Sequence, residues 1–160
     1  MINRFKFVKV PIAALLPVVL SGCLAKLQSI TSLDKPFTLA VTVKSEANTN
    51  SPIAFDLVSV NDKDLAKQLS QMTAADWFQK RGQIKRDFPK ESSIKVEEWE
   101  WVPGQVVPEI SLPAHAPRTL LAFANYSSPG PHRAKLDLKS RVLITFGRND
   151  FELSPLGTKR

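Results

Sequence analysis

Between residues 37 and 60, two stretches carry apolar side chains at every second position. Phe37, Leu39, Val41 and Val43 alternate with Thr38, Ala40 and Thr42. After a polar stretch, Ser45 to Pro52, the residues Ile53, Phe55 and Leu57 share one face of "IAFDLVSV". A period of two with β-branched residues predicts two half-buried strands joined by a loop. The period then changes. Leu65, Leu69 and Met72 are spaced by four and three, the stripe of a helix, with Asp62 or Asn61 placed to cap its start. Thr73-Ala-Ala-Asp76 has the spacing of a capping box. It opens a further helical stretch that carries Trp77 and Phe78 and is expected to stop at Gly82.

A strand pattern returns from Ser93 to Val102, where Ile94 and Val96 lie out of phase with Trp99 and Trp101. Either a bulge resets the register or one face is exposed. Val106 to Leu112 reads as a short strand, with Pro108 marking an edge or a bulge. Leu112 to Arg118 is a loop. Thr119 to Tyr126 is the most apolar stretch of the domain and is expected to be a central strand. Ser127 to Arg133, "SSPGPHR", reads as a tight turn. Arg141 to Phe146 and Asp150 to Leu153 complete the set. About seven short strands with one helical insert, between the second and the third, predict a mainly β, two-sheet β-sandwich.

The first 36 residues follow a different logic. Met1 to Lys9 carries Arg4, Lys6 and Lys9 and no acid, and Val10 to Leu20 is uncharged and apolar. A basic head, a short apolar middle and small residues after it make a secretory signal. The apolar run falls short of the ~20 residues that a membrane-spanning helix needs. The small residues end on the chain's single cysteine, Leu20-Ser21-Gly22-Cys23. This resembles the lipobox of bacterial lipoproteins. The resemblance implies that the thiol of Cys23 takes a diacylglyceryl group, that the signal is cut before it, and that the new amine is acylated. Two or more acyl chains anchor a protein stably where one does not. Leu24, in place of an Asp, implies the outer membrane in enteric-type sorting. The expected organisation is therefore a signal over residues 1–22, a lipidated tether over 23–36 and a sandwich domain over 37–160.

Charge and chemistry narrow the reading further. Three of the 22 basic residues set against 15 acids belong to the signal, so part of the basicity leaves with it. The remaining chain of about 140 residues suffices for one domain with its own core. Lys80, Arg81, Lys85 and Arg86 form the densest basic patch and read as a solvated helix end rather than a nucleic-acid site. His115 and His132 sit in Pro-rich loops without metal-ligand spacing, and no nucleophile elbow or Gly-rich phosphate loop is present. Glu97, Glu98 and Glu100 read as a solvated sheet face. No enzyme, no metal and no cofactor are expected beyond a covalent lipid on Cys23. Trp77, Trp99 and Trp101 are expected in the core, with sugar stacking as the alternative.

The succession of lipobox, tether, alternating strand and Asn-containing loop, then helical insert, Pro-Gly turn and apolar strand, is similar to the TssJ (SciN/VasD) outer-membrane lipoproteins of type VI secretion systems. Asn48 and Asn50 match the Asn of that family's first loop. Ala75-Asp76-Trp77-Phe78 resembles its Ala-Asp-Phe-aromatic helix, Val102-Pro103-Gly104 its Pro-Gly turn, and Ala122 to Tyr126 its apolar strand with a terminal aromatic. Phe55-Asp56-Leu57 stands where the family usually has Tyr-Gln-Leu, and "SSPGPHR" has no counterpart placed in it. The resemblance implies a transthyretin-like sandwich with an added helix, lipid-anchored at the periplasmic face of the outer membrane. It further implies a non-catalytic role, binding the periplasmic part of a TssM-like inner-membrane partner through the first interstrand loop. In this chain that loop is Glu46, Ala47, Asn48, Thr49, Asn50 and Ser51. A loop between two rigid strands is a common place to display binding residues. Changes at Asn48, Thr49 and Asn50 are then expected to weaken partner binding without changing thermal unfolding. A pilotin-type lipoprotein that carries a secretin, or an envelope glycan-binding module, are the alternatives.

Overall fold

The alternating apolar residues of Phe37–Val43 and Ile53–Val60 form strands β1 and β2, but in different sheets. These and the other elements come from a computed structural model that describes residues 37–112, 117–137 and 141–156. The signal, Cys23, the tether and His115 lie outside the described residues. After β2 come helix α1 (Lys63–Leu69), helix α2 (Ala74–Asp87), β3 (Ile94–Trp101), β4 (Ile110–Leu112), β5 (Thr119–Ala124), β6 (Arg133–Leu136), β7 (Arg141–Phe146) and β8 (Phe151–Leu156). One sheet has the order β4-β1-β7-β8 and the other β3-β2-β5-β6. Among the described strands only β1 and β7 run parallel; the other pairs are antiparallel.

The two sheets close on a shared core. Leu39, Ile144 and Phe146 from the first sheet meet Ile53, Phe55, Leu57, Trp101 and Ala122 from the second. Phe55 sits among aromatic rings: it stacks on Trp101 at 5.2 Å and meets Phe146 edge-on at 5.4 Å. The expected sandwich with its insert between the second and third strands is what the chain adopts.

The insert adds a third layer. Val58, Val60, Leu121 and Phe123 project from the opposite face of the second sheet onto Leu65, Leu69, Trp77 and Ile84 of the helices. Trp77 stacks on Phe123 at 5.1 Å. Strand β5 is buried along its whole length for this reason, one face in each core. The phase problem in β3 has the same solution. Its register against β2 runs unbroken from Val60↔Ile94 to Ile53↔Trp101, without a bulge. Trp99 and Trp101 face the sandwich core, whereas Ile94 and Val96 face the helices.

Local signals set the helix starts. The Asp62 side chain accepts from the Leu65 amide at 2.8 Å, and the Thr73–Asp76 capping box is complete. An N-cap of this kind contributes about 1 kcal/mol. Asp62→Ala is therefore expected to lower stability by about that much in urea unfolding. A change below a few tenths would show that packing alone holds α1.

Several expectations are corrected. Helix α2 runs through Gly82 to Asp87, because Gly82 lies on the exposed side and Ile84 anchors the next turn in the helical core. A helical glycine costs only about 1 kcal/mol relative to alanine, which that burial offsets. The described residues hold eight strands: "RAKL" at Arg133–Leu136 forms an edge strand, where only Leu136 is deeply buried. The stretch Val106 to Leu112 reduces to a bridge at Val106 and the strand β4. The central strand β5 ends at Ala124, and the last strand covers Phe151–Leu156. The basic patch is not simply solvated: Arg81 pairs with Asp56 at 2.7 Å and Lys85 with Glu98 at 2.6 Å.

Candidate functional site: a three-loop end of the sandwich

β1 and β7 end side by side because they run parallel, and the turns that follow them meet. The β1–β2 loop contains one tight turn, Ala47–Asn50, in which three successive residues are left-handed: Asn48 (φ 45°), Thr49 (φ 54°) and Asn50 (φ 60°). Asparagine tolerates this region, whereas β-branched threonine does not. Such strain persists only where the surroundings impose it, and it clusters at functional sites.

The surroundings are two other loops. The Asn48 and Thr49 amides donate to the Gly147 and Arg148 carbonyls of the β7–β8 turn, both at 3.2 Å. The Asn48 side chain is buried. Its Oδ1 accepts from the Ser127 amide at 2.8 Å and the Ser127 hydroxyl at 3.0 Å, while its Nδ2 donates to the Pro52 carbonyl at 2.9 Å. Ser127 belongs to the arch between β5 and β6. That arch also meets the β7–β8 turn directly, through the Ser128 hydroxyl donating to the Asn149 carbonyl at 2.6 Å. Tyr126 donates to the Gly147 carbonyl at 3.2 Å, and burial pushes its hydroxyl far above the usual phenol range.

The six candidate contact residues therefore divide. Ala47 and Asn48 are buried and hold the loop; Thr49, Asn50 and Ser51 are exposed at its tip. Glu46 lies beside them, its carboxyl held below the usual range by a backbone hydrogen bond and by the Ser45 hydroxyl. Arg148 and Asn149 of the neighbouring turn are also exposed. The expected tight turn "SSPGPHR" is instead the far side of this platform, with His132 buried beneath it. The sequence alone leaves the roles of Ser127, His132 and Gly147 hidden, because each has a partner on another loop, 79 residues away for Ser127 and 18 for His132.

Elsewhere the surface offers little chemistry. Among the described residues no group of three His, Cys, Asp or Glu side chains is placed to hold a metal ion. A cleft of about 410 Å³ at the other end of β2, lined by Ser59, Asn61, Lys95, Glu97 and Leu112, holds a Lys95–Glu97 ion pair at 2.8 Å and no nucleophile–base constellation. Trp77 and Trp101 are buried; Trp99 is half-buried and stacks on Trp101 at 5.9 Å. They do not form the exposed coplanar pair that a sugar platform requires.

No family model matches the sequence, and no curated protein matches it. Solved structures do. The type VI secretion lipoprotein TssJ1 from Pseudomonas aeruginosa matches with a TM-score of 0.59 at 18% identity, over 79% of this chain and 99% of that one. The fold is that of TssJ. A chain of a type VI membrane complex matches at 0.58 and 15% identity, over 76% and 98% of the two chains. A chain of a structure described as the type VI secretion protein TssM C-terminal domain from EAEC matches at 0.57 and 15% identity, over 76% and 99%. At 15–18% identity the likeness is one of architecture, so the contact residues have to be read from this chain's own loops.

Proposed function

We propose that this chain is the lipid-anchored outer-membrane component of a type VI secretion membrane complex. In this reading Cys23 carries the lipid, and the loop Glu46–Ser51 binds the periplasmic part of a TssM-like inner-membrane protein. The observation that carries the proposal is the likeness of the domain to a type VI secretion lipoprotein over nearly that protein's whole length. The lipobox ending at Cys23 agrees with it. A strained, exposed turn braced by two neighbouring loops is suited to a contact that must form without further ordering.

The test is a crosslinked pull-down of the full lipoprotein from its own envelope, with mass spectrometry of what accompanies it. A Thr49→Gly/Asn50→Gly variant runs beside it, since glycine keeps the left-handed turn while removing both side chains. Recovery of a large inner-membrane protein with a periplasmic domain, lost in the variant, supports the reading and its loop. Recovery of a secretin instead replaces it with the pilotin reading.

A further inference from the structure

The buried imidazole of His132 bridges two of the three loops. Its Nδ1 lies 3.0 Å from Asp150 Oδ1 and its Nε2 lies 2.8 Å from the Ser128 carbonyl oxygen. Both partners are acceptors. A neutral imidazole carries one proton and satisfies one of them; only the imidazolium donates to both. The pocket is shaped to the ring. Tyr126 packs against it with centroids 4.9 Å apart, and a Cβ at Gly130 would stand 2.7 Å from its Cε1.

We propose that His132 is a proton-dependent clamp that fixes the shape of this end of the domain. The titratable groups facing the ring are Asp150, from the β7–β8 turn, and Tyr126, from the ring's own arch. Tyr126 is pushed further from neutrality by its burial, so it stays protonated while the imidazole titrates. When the ring loses a proton to solvent, the one left stays on Nδ1, facing the Asp150 carboxylate. Nε2 then presents a lone pair to the Ser128 carbonyl, and that bond is lost. Ser128 and Ser127 are the residues that tie the arch to Asn149 and Asn48. Deprotonation therefore loosens the brace under the Thr49–Asn50 turn. The structural proposal stands by itself; the consequence for partner affinity rests on the reading of that turn as the contact.

The test uses the full lipoprotein in detergent micelles, labelled with ¹⁵N-histidine. His132 is one of only two histidines, and His132→Gln assigns its signals. Over a series from about pH 5.5 to about pH 8, the clamp requires both ring nitrogens of His132 to carry protons at the acid end and only one at the alkaline end. In parallel, amide exchange corrected for its intrinsic pH dependence is expected to show about a tenfold loss of protection at Asn48, Thr49 and Ser127 between those values. That step should vanish in Asp150→Asn, which keeps the shape and removes the counter-charge at an exposed site. A ring that is singly protonated at both pH values, or loop protection that does not change between them, overturns the clamp. Affinity for the partner's periplasmic domain is measured across the same range. A loop step that affinity does not follow leaves the clamp standing and removes the turn as the contact.

Discussion

Arg81→Met is expected to destabilise the domain by about 3–5 kcal/mol at neutral pH, the usual loss when one member of a buried ion pair is removed. Asp56 points from the middle of β2 into the helical layer and is fully buried. Burial pushes its carboxyl up; hydrogen bonds from Arg81 and from the Trp77 indole pull it back. Arg81 Nη1 reaches both carboxylate oxygens, at 2.9 and 2.7 Å, and Trp77 Nε1 donates at 2.8 Å. Methionine keeps an unbranched apolar side chain but removes the guanidinium, whose Cζ lies 4.9 Å from the Phe78 ring centre, and leaves the carboxylate with the indole alone. The desolvation is then opposed only by Trp77, so the carboxyl moves further up. A carboxyl raised above its unfolded value of about 3.9 favours folding below that value and loses this contribution as pH rises through the folded value. The deficit of the variant is thus expected to shrink as pH falls from neutral toward the carboxylate range. Urea unfolding at several pH values reads this directly. Asp56→Asn in the Arg81→Met background should remove the pH dependence and restore part of the stability, since the amide oxygen still accepts from Trp77. A deficit below 1 kcal/mol, or one that grows in acid, would show that the pair is not what seats α2 on the sheet.

Asp56 also marks the boundary of what was legible in the chain. The alternation in β1 and β2 and the apolar run of β5 located three strands to within two residues, and the capping residues Asp62 and Thr73 placed both helix starts. These signals are local, carried by side chains that the same element buries. An aspartate inside an apolar strand is locally anomalous, and only the arrival of Arg81 and Trp77 from 21 to 25 residues away explains it. Edge strand β6 was hidden because Arg133-Ala-Lys-Leu136 alternates but buries little. The mixed faces of β3 were visible as a conflict of phase. They needed the third layer, which no single segment announces, to become two ordinary faces. The loop between β1 and β2 was visible in its polarity and its flanking strands, and the resemblance to the TssJ lipoproteins singled it out as the candidate contact. The division of labour inside it was not, since it depends on Ser127 and Gly147.

That division gives the second large effect, and it revises the expectation that Asn48, Thr49 and Asn50 act alike. Asn48→Ala is expected to lower stability by about 3 kcal/mol: it removes the bonds to Ser127 and Pro52 and places an alanine in the left-handed region. Thr49→Gly/Asn50→Gly should leave the unfolding midpoint unchanged or slightly raised, because both side chains are exposed and glycine relieves the positive φ. Affinity for the periplasmic domain of the partner should then fall by about tenfold or more in the double glycine variant, as for residues at the centre of a contact. In Asn48→Ala the affinity should fall as well, but through the loosened turn, so low temperature or added osmolyte should recover part of it. Calorimetry and binding on the same preparations separate the two. If Asn48→Ala unfolds at the wild-type midpoint, the three-loop brace does not hold the turn. If the double glycine variant binds as the wild type does, the contact lies elsewhere on this end, with Arg148 and Asn149 the next exposed residues to change.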